Sequence, residues 1–392
     1  MSTVAALGLS IFVGADQSES SRPLVLAHYM PWYEAKPRSP HWGWHWTMGA
    51  FDPEKIANGR RPIAAHYYPL IGPYDSGDPA VLEYHLSLMR MAGIDGVVVD
   101  WYGRTNHLDY GLIHRNCEAL FRSAERLGLK FAVCYEDQTI ARLAAVGKLA
   151  APDRSAHARQ EIAWLQEHWF KSPAYVRRDG RPLLLSFGAD GLTDAEWAAV
   201  LPSGPDAPLY LSEHRRRPCA VGAFDWPIPS EYPRSLDRFY VERSAWPTAM
   251  AVAFPRFHDI YAEAKARASY GRIPDDDGRT FAATLRRALE SRVPFVQIAT
   301  WNDWGEGTGI EPTFELGYRD LEMIQRVRRE LLDRSFPFIA GDLRLPHRLL
   351  RLRRRTEQRP TTVDLDAISM SLIAGDVAAA RRQLDQQEDA RR

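Results

Sequence analysis

A closed barrel of eight parallel strands alternating with helices, a (β/α)8 or TIM barrel, is predicted by three observations. Eight short aliphatic runs each end in polar or aromatic residues. Helical patterns lie between most of them. The chain has 392 residues, enough for one large domain with a sizeable core.

The runs are "PLVLAHYMPW" (23–32), "GVVVDWYG" (96–103), "KFAVCYEDQ" (130–138), "RPLLLSFGAD" (181–190), "APLYLSEHR" (207–215), "AVGAFDWP" (220–227), "TAMAVAFPRF" (248–257) and "PFVQIATWNDWGEG" (294–307). Uninterrupted apolar runs of this length mark strands buried on both faces. Between the first two, residues 79–93 read as a helix, with Asp78 as N-cap, Pro79 at the first helical position and Gly93 at the C-terminal end. Residues 107–128, 155–170, 280–291 and 317–333 are also amphipathic. The stretch 214–220 is too short for a helix and is the weakest link in the alternation. A doubly wound open sheet would bring a glycine-rich phosphate turn after an early strand, where this chain has "HYMPWY".

The barrel is expected over residues 23–335. Residues 33–78 form a long ordered loop after strand one, and loops of that length are usually functional. Residues 336–392 make a small helical appendage, with two short helices broken at Gly375 and Asp376. Within it, "LRLPHRLLRLRRR" reads as a solvated strand face rather than a site for an anionic partner. Residues 1–22 form a leader. Residues 4–15 resemble the apolar core of a signal peptide without the usual positive n-region. A truncated signal would place the protein in the periplasm or outside the cell; a flexible leader would leave it cytoplasmic.

Formal net charge is zero, with 50 basic and 50 acidic residues, so no nucleic-acid partner is expected. No stretch reaches 18 apolar residues without a charge, so no membrane span is expected, and the protein is read as a monomer. Three widely spaced cysteines argue against a disulfide framework or a structural zinc site. The 12 tryptophans and 16 tyrosines fall largely in loop-like stretches, where aromatic faces suit ligands such as sugars.

In such a barrel the functional side chains gather at the C-terminal ends of the strands. Those ends supply His28, Tyr29 and Trp32, then Asp100 and Trp101, then Glu136, then Glu213, then Trp226, and finally Asn302, Asp303 and Glu306. The set is rich in carboxylates and aromatics and holds no nucleophile elbow, P-loop or HExxH. Carboxylates beside ring-stacking surfaces fit glycosidic bond cleavage, which needs one acid to protonate the leaving oxygen and a second as base or nucleophile. Asp303 and Glu306 are the candidate pair, with Gly305 and Gly307 allowing tight bends and Trp301 and Trp304 as an apolar wall. The alternative is that Asp303 caps its turn and Glu306 makes a salt bridge. His41 and His45 have metal-like spacing, but Gly43 interrupts them and no carboxylate matches, so neither metal nor cofactor is expected.

With "LAHYMPWY", "HYYPLIGPYDSGDP", "AGIDGVVVDWYG" and "TWNDWGEGTGIEPT", the chain resembles the glycoside hydrolase family 71/99 proteins over most of the barrel. The resemblance implies endo-type hydrolysis of α-linked polysaccharides, α-mannosides for family 99 and α-1,3-glucan for family 71. The family 99 turn usually carries Glu where this chain has Asp303, and Glu306 matches its second Glu. That pattern implies retention through a 1,2-anhydro sugar. The first carboxylate takes the proton of the sugar 2-hydroxyl, and Glu306 acts as acid and then base. The family 71 turn has Asp at this place and is associated with inversion.

The expected function is therefore a metal-independent glycoside hydrolase, endo-acting on an α-mannan or α-glucan, with an oligo- or polysaccharide as its partner. Asp303 and Glu306 are catalytic. His28, Tyr29, Trp32, Tyr67, Asp100, Trp101, Glu136, Glu213, Trp226 and Asn302 hold substrate. The rival readings are a carbohydrate-binding or glycan-assembly protein on the same barrel, and a metal-dependent hydrolase.

Overall fold

The computed structural model of the protein describes residues 22–188, 190–204, 207–358 and 364–389. The expected leader, apart from Arg22, lies outside them. Eight parallel strands form the barrel: β1 (Leu24–Tyr29), β2 (Gly96–Trp101), β3 (Lys130–Tyr135), β4 (Arg181–Ser186), β5 (Leu209–Glu213), β6 (Gly222–Phe224), β7 (Thr248–Ala253) and β8 (Phe295–Ile298). Each pairs with its successor, and β8 closes on β1 with Leu24 opposite Phe295 and Ala27 opposite Ile298.

The helices fall where the periodicity puts them: Pro79–Ala92, Tyr110–Leu127, Arg154–Glu167, Arg279–Glu290 and Arg319–Leu331. Asp78 caps the first of these through the backbone N–H of Ala80, and Gly93 ends it in the left-handed conformation, φ 93°. No helix separates β5 from β6, so these strands are joined by a short loop.

The parity of each strand decides what reaches the mouth of the barrel, because successive side chains point to opposite faces. On β1, His28 points in, against Gln297 of β8 and the Trp226 ring. Tyr29 points out and bonds His85 of the surrounding helix at 2.9 Å. On β2, Asp100 points in, and Trp101 points out toward His114, its Nε1 3.2 Å from the imidazole.

The C-terminal segment corrects one expectation. Leu345–Gln358 is a helix, not a solvated strand. Its leucines at 345, 349 and 352 recur at helical spacing and are all buried. Arg353 reaches Glu83 of Pro79–Ala92 with two hydrogen bonds and also bonds Asp366 at 2.9 Å. The arginines thus tie the appendage to the barrel. Beyond them, Leu365–Ala374 and Val377–Asp389 meet at Gly375, which is left-handed at φ 79°.

Candidate active site

The turn after β8 carries the acid pair. Thr300 Oγ1 accepts the N–H of Asp303 at 2.8 Å, and Asp303 Oδ1 accepts the N–H of Glu306 at 3.0 Å. Asp303 therefore does cap its turn. Glu306, however, forms no ion pair among the described residues, and its Oε2 is buried without a hydrogen-bond partner. Gly307 adopts φ 66°, and a Cβ there would lie 2.5 Å from the carbonyl oxygen of His258. Only glycine fits that combination of backbone and clearance.

The two carboxyls differ electrostatically. Burial lifts Asp303 to about 6, opposed by the backbone N–H groups of Glu306 and Gly305 that favour its anion. Burial lifts Glu306 well above the usual carboxylate range, reinforced by Asp303, Asp259 and Glu213 and opposed by Arg267. Asp303 is thus supplied with backbone donors that favour its anion, whereas Glu306 Oε2 has no donor to oppose the upward shift that burial imposes.

Further acids share this field. Asp100 is buried with Oδ1 unpartnered, and burial followed by Glu136, Asp303 and Glu213 raises it well above its ordinary value. Glu136 is pushed up to about 8, chiefly by burial, while its hydrogen bond from Gln138 opposes the shift. Glu213 accepts the N–H of Gly188 at 3.0 Å and lies 3.4 Å from His214, whose other nitrogen is 3.0 Å from Asp225. His28 is fully buried and lowered to about 4 by burial; Nδ1 meets Gln297, and Nε2 has no partner.

Two cavities open at this end of the barrel. Asp303 lines one of about 590 Å³, with Trp32, Trp44, His45, Tyr102, Tyr261 and Arg267. Glu306 lines one of about 220 Å³, with Phe187, Glu213, Trp226, Phe257 and Tyr270. Between them, Arg267 lies 4.2 Å over the Tyr270 ring and 5.8 Å from that of Tyr261. Trp32 and His45 form a parallel stack at 4.2 Å on the wall of the larger cavity.

Of the residues expected to hold substrate, Trp32 and Trp226 line these cavities, as does Glu213. Asp100, Glu136 and His28 belong to the buried polar floor. Tyr67 is partly buried beside Gly307, with Arg256 4.8 Å over its ring. Three placements correct the expectation. Tyr29 and Trp101 face outward from the barrel, because each stands one residue past an inward-facing one. The Asn302 amide is used within the protein: Oδ1 accepts Met30 N–H at 2.8 Å, and Nδ2 donates to Met30 O at 3.0 Å and to the Tyr74 hydroxyl at 3.1 Å. Trp301 and Trp304 are likewise core residues rather than a cavity wall. His41 and His45 approach different acids, Glu34 and Asp109, at 3.4 Å each, and do not converge. Among the described residues no three His, Cys, Asp or Glu side chains are grouped to hold a metal ion.

Sequence reasoning missed Tyr261, Arg267 and Tyr270, which come from the loop after β7 and end no strand. It also missed the support behind the turn. The Tyr74 hydroxyl donates to Glu311 at 2.7 Å and accepts from Asn302 and from Trp304 Nε1 at 3.2 Å. Glu311 in turn lies 3.1 Å from His85, both fully buried. Tyr74→Phe leaves these buried groups short of a partner. It is expected to cost about 1–3 kcal/mol, measured by denaturant unfolding.

The family model described as Glycosyl hydrolase family 99 matches residues 23–215, ending before the acid pair. The human glycoprotein endo-alpha-1,2-mannosidase-like protein is 34% identical over 322 residues, covering 73% of this chain and 67% of the relative. Its zebrafish (Danio rerio) counterpart is 24% identical over 302 residues, covering 69% of this chain and 64% of the relative. The chain thus spans about two thirds of the length of these relatives. The solved GH99 endo-alpha-mannosidase from Bacteroides thetaiotaomicron superposes with a TM-score of 0.60 at 18% identity, over 82% of this chain and 98% of that one, and so shares the fold. With a closed eight-stranded barrel, an acid-lined mouth and a human relative matched at this identity over two thirds of its length, the chain belongs to glycosyl hydrolase family 99.

Proposed function

We propose that this protein cleaves α-mannosidic bonds within a glycan, with Glu306 as proton donor to the leaving oxygen and Asp303 as the base. The observation that carries this reading is the split between two carboxyls on one turn. Asp303 is held toward its anion by backbone N–H groups, and the half-buried Glu306 beside it has its Oε2 buried without a hydrogen-bond partner. Glycosidic cleavage needs one acid with its proton and one without. The choice of mannose rests on the names of the relatives, which are mannosidases or mannosidase-like proteins.

In the reaction Glu306 gives its proton to the glycosidic oxygen as the bond to the anomeric carbon breaks. Asp303 takes a proton either from the sugar 2-hydroxyl, which closes on the anomeric carbon, or from a water that attacks it. In the first case Glu306, now ionised, takes a proton from the water that attacks the anomeric carbon, and Asp303 returns its proton to the 2-oxygen as the anhydro ring opens. Trp32 and Trp226, each lining a cavity next to one of the acids, offer apolar faces for sugar rings.

The test is incubation with α-mannan and, separately, with α-1,3-glucan, following the first-formed anomer by proton NMR. Oligosaccharides released from α-mannan with the α-anomer first are the expected result and show the retention that the 2-hydroxyl route requires. A β-anomer first assigns Asp303 to water. Hydrolysis of α-1,3-glucan alone overturns the mannose assignment, and hydrolysis of neither favours a carbohydrate-binding role.

A further inference from the structure

The loop after β7, residues 254–278, lies against the turn that carries the acids. His258 N–H donates to Glu306 O and Ile260 N–H to Gly305 O, each at 2.9 Å. The absent Cβ of Gly307 lets the His258 carbonyl come close on the same side. The turn is thus gripped through its backbone at Gly305 and at Glu306 itself, whose Oε2 has no hydrogen-bond partner.

Two residues before His258 stands Arg256, 1% exposed. Its Nη1 donates to Asp275 at 3.0 Å and to Asp320 at 2.9 Å. Its Nη2 donates to Asp320 at 2.9 Å and to the carbonyl oxygen of Gly309 at 2.8 Å. Arg319 closes on Asp275 from the start of the helix Arg319–Leu331, with Nη1 at 2.8 Å. One guanidinium therefore joins the loop after β7, the far end of the acid-bearing turn and the next helix. Arg256 lines neither cavity, and Asp275 and Asp320 pair with it.

We propose that Arg256 is the positioning residue for Glu306, holding the loop after β7 against the turn so that Glu306 Oε2 stays shielded from water and without a hydrogen-bond partner. The proposal rests on the reading of Glu306 as the proton donor. A planar guanidinium serves three acceptors in fixed directions, and an ammonium does not. With the clamp loosened, water also reaches Oε2 of a carboxyl that faces Asp303 from its own turn, Asp259, Tyr261, Arg267 and Tyr270 from the loop after β7, and Glu213 from β5. Solvation favours the ionised form, and Glu306 then loses its proton at lower pH.

The test uses full-length protein labelled at the glutamate side-chain carboxyl carbon with 13C, the Glu306 signal being the one absent from Glu306→Gln. In Arg256→Lys the Glu306 midpoint is expected to fall by about one pH unit or more. With α-mannan as substrate, kcat is expected to fall about 10- to 100-fold while KM stays within about threefold. A purely structural role lowers the thermal midpoint without moving the titration. An unchanged Glu306 midpoint in folded Arg256→Lys overturns the proposal. Should that variant not fold, Asp275→Asn, which leaves Arg256 bound to Asp320 and Gly309, must show the same direction of shift, and an unchanged midpoint there overturns it equally. If Glu306→Gln hydrolyses α-mannan like the wild type, the assignment of the proton donor falls, and the midpoint still judges the clamp.

Discussion

Glu306→Gln is expected to lower kcat by about 10²–10⁴-fold while leaving glycan affinity in place. The amide keeps the size of the carboxyl and cannot release a proton to the leaving oxygen. Burial, Asp303, Asp259 and Glu213 all favour the neutral form of Glu306, and a neutral amide matches that form without adding or removing an ion pair. Turnover on α-mannan and binding of the same glycan by calorimetry separate the two effects. The alkaline limb of the wild-type pH–rate profile, where Glu306 gives up its proton, is expected to vanish in the variant. Turnover within threefold of wild type would remove Glu306 from the chemistry, and a wild type that binds glycan without turnover would favour the binding-protein alternative.

Asp303→Asn is the second large effect. Asp303 has to be ionised to accept a proton, and it titrates at about 6. Wild-type kcat/KM is therefore expected to fall as the pH drops below that value, approaching about tenfold per pH unit. Asparagine can still accept the N–H of Glu306, which Asp303 Oδ1 accepts at 3.0 Å, so the turn survives. The base does not, and a loss of about 10²–10⁴-fold is expected. The sign of the accompanying shift is also fixed. Asp303 is a like charge that raises Glu306, so its removal lets Glu306 ionise at lower pH, and the alkaline limb of the residual activity moves downward. A variant that kept the wild-type acid limb would show that Asp303 is only a cap.

The order of strands and helices was legible in the sequence because each element carries a local signal. Apolar runs such as "GVVV" lie before a polar end, and Asp78, Pro79 and Gly93 mark the limits of a helix. The acid pair was legible for the same reason, since Asp303, Glu306 and the glycines stand together on one turn. The arginine-rich stretch near residue 350 was misread because its leucines fit an alternation over a few residues; their spacing at 345, 349 and 352 is that of a helix face.

Tertiary structure alone decided the rest. His28 and Asp100 face into the barrel while Tyr29 and Trp101 face out, a choice set by the parity of each strand within the closed sheet and not by residue type. Tyr261, Arg267 and Tyr270 reach the acids from a loop with no period to read, and Arg256 holds that loop from within the core. Burial raises both Asp303 and Glu306, and only Asp303 gains backbone donors that oppose the shift, a difference that arises only on folding. A sequence can state which acids lie near each other along the chain; the dielectric around each, and hence which one keeps its proton, exists only once the barrel has closed.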